Sequence, residues 1–338
     1  MRDHLEQVRQ GRARAIARLI TAVENDEAVA QDVTAALYAH TGNAHIVGVT
    51  GPPGCGKSTL VTGLAGRFNS QGKRVGIIAV DPSSPFTGGA LLGDRVRMND
   101  IANREGIFVR SMASRGTLGG LAQATSTVIK ILDAAGFDLI LVETVGAGQA
   151  EVDIASVAHT VLVIEAPGSG DEVQSIKAGI LEIADILVVN KADRPSALRT
   201  VRALEMMLHM GQPVTHHHQK QLPEDDSAPV EADTTPPDQW QVPVMQTIAL
   251  VGTGVEELLN KIVEHRNHLI KSGEWFYREL QRSRREIERI LQNQIISRTQ
   301  RYVLAEQREQ FVTAVAKRDM DPYSAAGRLF DLANENRS

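Results

Sequence analysis

The eight residues Gly51-Pro52-Pro53-Gly54-Cys55-Gly56-Lys57-Ser58 restrict the fold more than any other stretch of the chain. They follow the apolar run Ile46-Val47-Gly48-Val49-Thr50 and precede Leu60-Val61-Thr62-Gly63-Leu64-Ala65, so the local order reads strand, glycine-rich loop, helix. That order is the context in which this spacing binds phosphate. Glycines accept backbone angles closed to other residues, so successive N–H groups can turn inward around phosphate oxygens. The N-terminus of the following helix adds its positive end. Lys57 is expected at the β- and γ-phosphates, the Ser58 hydroxyl on Mg²⁺, and Thr59 near the α-phosphate. Gly51, Pro52, Pro53, Gly54, Cys55 and Gly56 are expected to contribute chiefly backbone. Cys55 is the single cysteine of the chain, which rules out an intramolecular disulfide and any multi-cysteine metal site.

Short apolar runs alternate with helical patterns from about residue 45 to 270. The strands are expected at His45–Thr50, Arg74–Asp81, Gly106–Ser111, Asp138–Thr144, Thr160–Ala166, Ile186–Asn190 and Val242–Thr247. Several are apolar throughout, as strands covered on both faces are. The fold class expected is therefore α/β: a doubly wound, mostly parallel P-loop sheet with helical N- and C-terminal extensions. Such sheets bind ligands at the carboxyl ends of their strands. Residues 1–42 read as a helical extension, residues 43–272 as the nucleotide domain, and residues 273–338 as a C-terminal helical extension suited to dimerisation. Residues 212–241, with His216–His218 and Pro236-Pro237, read as a flexible polar loop. In the C-terminal part, Phe276, Leu280, Ile287, Leu291 and Ile295 form an apolar stripe that either packs on its own core or makes a subunit interface.

The second motif is Asn190-Lys191-Ala192-Asp193, directly after Ile186–Val189. An Asp carboxylate there can accept hydrogen bonds from guanine N1–H and the exocyclic amine. Adenine offers neither donor and would leave the carboxylate unpaired. Asn190 is expected to hold this turn against the phosphate loop and to touch the base, and the Lys191 stem to cover the ring. After the last strand, the backbone of Ile248, Ala249 and Leu250, Ala249 above all, is a candidate contact to the guanine oxygen.

Acids complete the pattern. Glu143-Thr144-Val145-Gly146 ends a strand in the manner of an Mg²⁺-holding acid followed by a γ-phosphate sensor at the Gly146 amide. Asp81 closes another strand, where acids of this fold face the ligand, and Asp94 lies in Leu92-Gly93-Asp94-Arg95, where the alternative is a helix cap before Arg95–Ile101. Lys57, Asp81, Asp94 and Glu143 are the expected catalytic set. Gln149 lies three residues after Gly146, so the residue that positions water is left open, with Glu143, Asp81 or a partner as alternatives. Arg115 offers a charge near phosphate or is a surface arginine.

The runs Gly51–Thr59, Val80–Pro85, Leu92–Met98, Arg115–Gly120, Val142–Gln149 and Asn190–Asp193 together resemble the MeaB/ArgK family of GTPases, chaperones of adenosylcobalamin-dependent acyl-CoA mutases. The resemblance runs from about residue 1 to 270. It implies GTP/GDP and Mg²⁺ as ligands, with the metal near Ser58, Asp81, Asp94 and Glu143. It implies a homodimer through the C-terminal helices, and a mutase partner, chiefly methylmalonyl-CoA mutase, whose cofactor loading is gated by hydrolysis. It also implies an extra switch over residues 166–177, with Asp171 and Lys177 as switch and partner residues. Two departures stand out: the 212–241 loop is longer and more polar than is usual in the family, and Ile248 replaces the family's serine. A nickel-chaperone-like metal-insertion GTPase would need Cys/His ligand clusters, and His216–His218 is the only histidine run; a kinase of the older ArgK description would need an acceptor pocket.

The net charge of −5 gives no overall basic field for nucleic acid. No apolar run approaches the roughly 18 residues of a membrane span. A cytoplasmic location is expected, since the N-terminus carries no signal-peptide pattern.

Overall fold

The computed structural model describes residues 2–82, 101–102, 104–114, 123–144, 153–168, 181–210 and 239–336. Seven parallel strands form one sheet: β1 (His45–Thr50), β2 (Val75–Pro82), β3 (Ile107–Ser114), β4 (Leu139–Thr144), β5 (Thr160–Glu165), β6 (Ile186–Asn190) and β7 (Val244–Thr247). Their spatial order is β3-β2-β4-β1-β5-β6-β7. All seven expected strands are present and every pairing is parallel. From β1 the chain first builds towards β3 and later towards β7, so β1 lies where the winding reverses. That is where an open α/β sheet places its ligand.

Alternate strand residues sort into two cores. Ile46, Ile140, Val142, Val161 and Leu187 join one cluster, with α2 (Ala13–Asn25), α3 (Glu27–Leu37), α5 (Gln123–Ala134) and α6 (Ala197–Met210) packed on it. Val47, Val49, Leu141, Leu162 and Val188 join the other, under α4 (Lys57–Ser70) and α7 (Val255–Lys271). The N-terminal extension is helical as expected, beginning with α1 (Arg2–Arg9). Ile16, Leu19, Ile20 and Val23 of α2 are buried at helical spacing. Asp26 stops α2 in extended backbone, and its carboxylate accepts from the Ala28 and Val29 N–H groups to start α3.

At the amino edge of the sheet, opposite the glycine-rich loop, lies a buried polar cluster. Asp185, just before β6, accepts from Arg278 Nη1 at 3.0 Å and Nη2 at 2.9 Å, and from the Val161 N–H at 2.8 Å. Arg278 also donates to the His159 carbonyl at 2.6 Å and to Glu274. The Thr160 hydroxyl lies 2.8 Å from both His45 Nε2 and His265 Nδ1. Trp275 stacks on His159 with ring centroids 3.9 Å apart. The cluster ties the first turn of α8 (Glu274–Tyr302) to β1, β5 and β6. Burial alone would raise the Asp185 carboxyl, but the Arg278 and His265 charges outweigh it and hold it well below the usual range. Burial, then the charges of His159, His265 and Arg266, push the His45 pKa well below its ordinary value, against the pull of Asp185.

The end of the segment expected to be a flexible polar loop is anchored here. Trp240 Nε1 donates to the Asp185 carbonyl at 2.9 Å, and its ring lies against His265. An indole with a buried acceptor for its N–H has little freedom, whatever precedes it in sequence. The remainder of the loop, residues 212–238, lies outside the described residues.

The chain divides into a unit ending at Arg278 and a second from Glu279 to Ser338. The second unit contains the rest of α8, α9 (Ala305–Ala316) and α10 (Pro322–Glu335), with Val303, Ala325 and Ala333 buried in it. Asp321 caps α10 by accepting from the Tyr323 and Ser324 N–H groups. Asn336 Nδ2 returns to the Tyr302 carbonyl at 2.7 Å. No helix among the described residues is long and apolar enough to cross a membrane.

Candidate nucleotide site

The loop after β1 takes a shape that only glycine allows at its tightest point. Gly51 has φ +139°, and a Cβ there would lie 2.0 Å from the Ile164 carbonyl oxygen of β5. The chain passes this close because β1 and β5 are direct neighbours, with Thr50 beside Val163. Gly54 and Gly56 also have positive φ, and α4 starts at Lys57 immediately after the last of them. Lys57 is only 6% exposed, with its ammonium donating to the Gly51 carbonyl at 2.7 Å and the Pro52 carbonyl at 3.0 Å. The loop thus holds its cation folded across its own mouth.

The neighbouring strand ends converge on the loop. The Ser58 hydroxyl donates to Glu143 Oε1 at 2.6 Å. Glu143 lies beside Val49 of β1 on one side and Ala79 of β2 on the other, and it is buried. A hydroxyl and a carboxylate at this spacing are the hard oxygen donors that Mg²⁺ takes. Asp81 follows Val80, which pairs with Thr144, so the backbone of β2 carries it one residue past the level of Thr144. The Thr144 hydroxyl donates to Thr50 Oγ1 at 3.1 Å, joining the ends of β4 and β1.

Cys55 is fully buried, and burial pushes its thiol up to about 11. A thiolate nucleophile at this position is therefore disfavoured near neutral pH. Its carbonyl has a structural use: it accepts from Asn190 Nδ2 at 2.8 Å.

Asn190 ends β6 and connects three segments. Besides bonding the loop, its Oδ1 accepts from the Thr247 hydroxyl at 3.1 Å and from the Ala249 N–H at 3.0 Å. Lys191, with φ +57°, sends its ammonium 2.6 Å from the Gly54 carbonyl, so its stem lies over the loop. Asp193 stands exposed two residues on, in the turn closed by the Arg194 N–H to the Lys191 carbonyl. The Ala249 N–H is given to Asn190 Oδ1 here, so Asn190 acts as a strut for the 248–250 turn. Ile248 pairs with Thr253 across the turn, and Leu250 projects outward almost fully exposed.

The residues Gly51–Thr59, Glu143, Asn190, Lys191, Asp193 and Ile248–Leu250 thus come from one edge of the sheet. Asp94, Arg115, Gly146, Gln149, Asp171 and Lys177 lie outside the described residues, as does the side chain of Asp81. Sequence reading missed Arg67, whose guanidinium reaches the Gly252 carbonyl from α4; no motif marks that contact.

A glycine-rich loop at the carboxyl edge of a parallel sheet, with an Asn-Lys-x-Asp turn facing it, defines a GTPase of the P-loop class. The sequence matches the family described as methylmalonyl Co-A mutase-associated GTPase MeaB over residues 16–303, and the chain belongs to that family. It is 46% identical over 325 residues to a Pyrococcus abyssi protein named as a GTPase, spanning 96% of this chain and 94% of that one. It is 32% identical over 235 residues to the methylmalonic aciduria type A homolog, mitochondrial, of Mus musculus, spanning 68% of this chain and 50% of that one. The crystal structure of an LAO/AO transport system kinase aligns with a TM-score of 0.69 at 25% identity, covering 98% of this chain and 97% of that one.

Proposed function

We propose that this GTPase is Mg²⁺-dependent and serves as a nucleotide-gated chaperone of an adenosylcobalamin-dependent acyl-CoA mutase of the methylmalonyl-CoA type. The observation that carries the reading is the family match over residues 16–303, on a chain whose loop, Lys57, Ser58 and Glu143 are assembled for phosphate chemistry. The names of that family and of the mouse relative point to the same partner. A cytoplasmic location belongs to this reading.

In this mechanism the loop amides and Lys57 bind and orient the phosphates. Asp193, with the Asn190 strut behind it, selects guanine. Ser58 and Glu143 would hold Mg²⁺, with Asp81 and Asp94 as further acids; the ion would neutralise charge on the phosphate oxygens. Lys57 would exchange its two carbonyl acceptors for phosphate oxygens, which favours charge developing on the terminal phosphoryl group. Residues 166–177, with Asp171 and Lys177, and the loop with Gly146 and Gln149 would carry nucleotide state to the partner.

The test is adenosylcobalamin transfer to purified methylmalonyl-CoA mutase, followed by cobalamin absorbance, with GTP, GDP and a non-hydrolysable GTP analogue. Transfer that depends on the nucleotide supports the reading. Equal transfer in all three states, together with no co-elution of the two proteins, would overturn it.

A homodimer through the C-terminal helices belongs to the same proposal. Along α8, Phe276, Leu280, Ile287, Leu291, Ile295 and Ile296 are all exposed. The alternative that this stripe packs on its own core therefore loses its support, and a second copy is the reading we adopt. Ile287→Glu together with Leu291→Glu should halve the mass seen by light scattering and leave basal GTP hydrolysis within about twofold, as expected of surface changes away from the site.

A further inference from the structure

We infer that Arg67 is a positioning residue for base selection: from α4 it fixes the turn that carries Ile248, Ala249 and Leu250. This rests on assigning that turn to the guanine. Arg67 Nη2 donates to the Gly252 carbonyl at 2.9 Å. Its Nε lies 3.5 Å from Glu256, in the first turn of α7, and Gln71 Nε2 approaches the other oxygen of Glu256 at 3.4 Å. Nη1 rests 3.4 Å from the Gly63 carbonyl, one turn back on α4, which aims the guanidinium along the helix.

The turn itself is shaped to receive this contact. Gly252 has φ +86°, and a Cβ there would lie 2.5 Å from Arg67 Nη2. Gly254 has φ +72°, and a Cβ there would lie 2.1 Å from the Gln246 carbonyl. The backbone can therefore fold back on β7 and still offer the Gly252 oxygen to Arg67. At the other end of the turn, Asn190 Oδ1 takes the Ala249 N–H. The segment between these two grips, Leu250 and Val251, is otherwise exposed.

The geometry makes α4 a ruler. Lys57 begins this helix at the phosphate loop, and Arg67 sits ten residues along it. At 1.5 Å per residue the two lie about 15 Å apart along a rigid axis. One helix thereby sets the phosphate site and, through a fork of fixed shape, the height of the base-facing turn. Asn190 couples the same two places by a separate route, through the Cys55 carbonyl. Among the described residues the Arg67 side chain bonds Gly63, Gly252 and Glu256 and none of Gly51–Thr59, so its loss should loosen the turn and leave the hydrolytic groups in place.

The experiment compares Arg67→Ala, Arg67→Lys and Gly252→Ala with the parent chain in steady-state hydrolysis of GTP and ATP. Asp193→Ala is the control for the base site. For Arg67→Ala we expect KM for GTP to rise about three- to tenfold, the size one such hydrogen bond carries, with kcat held within about twofold. The GTP-over-ATP ratio of kcat/KM should fall by a similar factor. Gly252→Ala should reproduce both changes, and Arg67→Lys should restore part of the loss. If Arg67→Ala leaves KM and the ratio unchanged while Asp193→Ala collapses the ratio, the role given to Arg67 is wrong. Equal losses for both nucleotides, or a fall in kcat alone, would also overturn it, since a merely structural brace does not discriminate bases. An unchanged ratio in Asp193→Ala would remove the base-site assignment and this inference with it. Should Arg67→Ala fail to fold, Gly252→Ala and Arg67→Lys still decide the matter through the same ratio.

Discussion

Lys57→Ala should remove GTP hydrolysis, with kcat falling by at least about 10²–10³-fold, the range for losing one pre-aimed cationic or N–H donor at a developing oxyanion. Lys57 is buried at the start of α4, and its ammonium is already fixed by the Gly51 and Pro52 carbonyls. Little reorganisation is needed before it meets phosphate. Among the described residues no other lysine or arginine is bonded to the Gly51 or Pro52 carbonyl; Lys191 is bonded instead to the Gly54 carbonyl. Phosphate release from saturating GTP checks the expectation. A kcat within tenfold of the parent would count against the role given to Lys57. The melting temperature separates this from unfolding, because the two carbonyls left behind can take water at the open loop.

The second large effect should appear at the opposite edge of the sheet. Arg278→Ala should destabilise the chain by about 3–5 kcal/mol, because it strands a buried carboxylate that has lost its main partner. Asp185 loses both guanidinium bonds, and the His159 carbonyl loses its donor. Urea unfolding followed by circular dichroism measures this. The double change Arg278→Met with Asp185→Leu should lose less than the sum of the single changes, since the pair interacts directly. A loss below about 1 kcal/mol in Arg278→Ala would mean the pair is effectively solvated.

Acid should weaken the same anchor in two stages. His45 is neutral in the folded chain because its pKa is held well below the ordinary value. The unfolded chain takes up a proton near pH 6.5 that the folded chain refuses. This contribution is therefore complete above about pH 6.5 and shrinks as the pH falls below it, by at most about 1.4 kcal/mol per unit. His45→Gln should flatten that slope between pH 7 and 5. Asp185 has a depressed pKa, so its contribution is present above its ordinary value and is lost only as the pH falls through the lower folded value.

Much of the fold was legible in the sequence because the signals are local. β1, β2, β4, β5 and β6 are short, largely apolar runs; the loop follows β1 directly, and Glu143 and Asn190 fall at the ends of β4 and β6. Boundaries were harder. β3 continues to Ser114, three residues past its expected end, because its polar residues hide the strand while the backbone still pairs with β2. Arg110 within it is paired with Glu24 of α2, a contact that no local pattern encodes. β7 starts at Val244, since Pro243 has no N–H to give and serves through its carbonyl. The amino-edge cluster was illegible for a related reason. His45, His159, Asp185, Trp240, His265 and Arg278 are spread over most of the chain, and only the sheet order brings them together. Arg67 and Gly252 are likewise 185 positions apart.

The location of the aromatic residues has a practical consequence for anyone following this protein by light. The chain has two tryptophans, Trp240 and Trp275, and both lie in the amino-edge cluster, one bonded to the Asp185 carbonyl and one stacked on His159. The loop that receives phosphate opens at the other end of the strands. Intrinsic fluorescence will therefore respond to the anchoring of the first turn of α8 and pass over the exchange of GTP for GDP, which calls for a fluorescent nucleotide. One spectrometer with two excitation wavelengths can then watch the two ends of the same sheet separately.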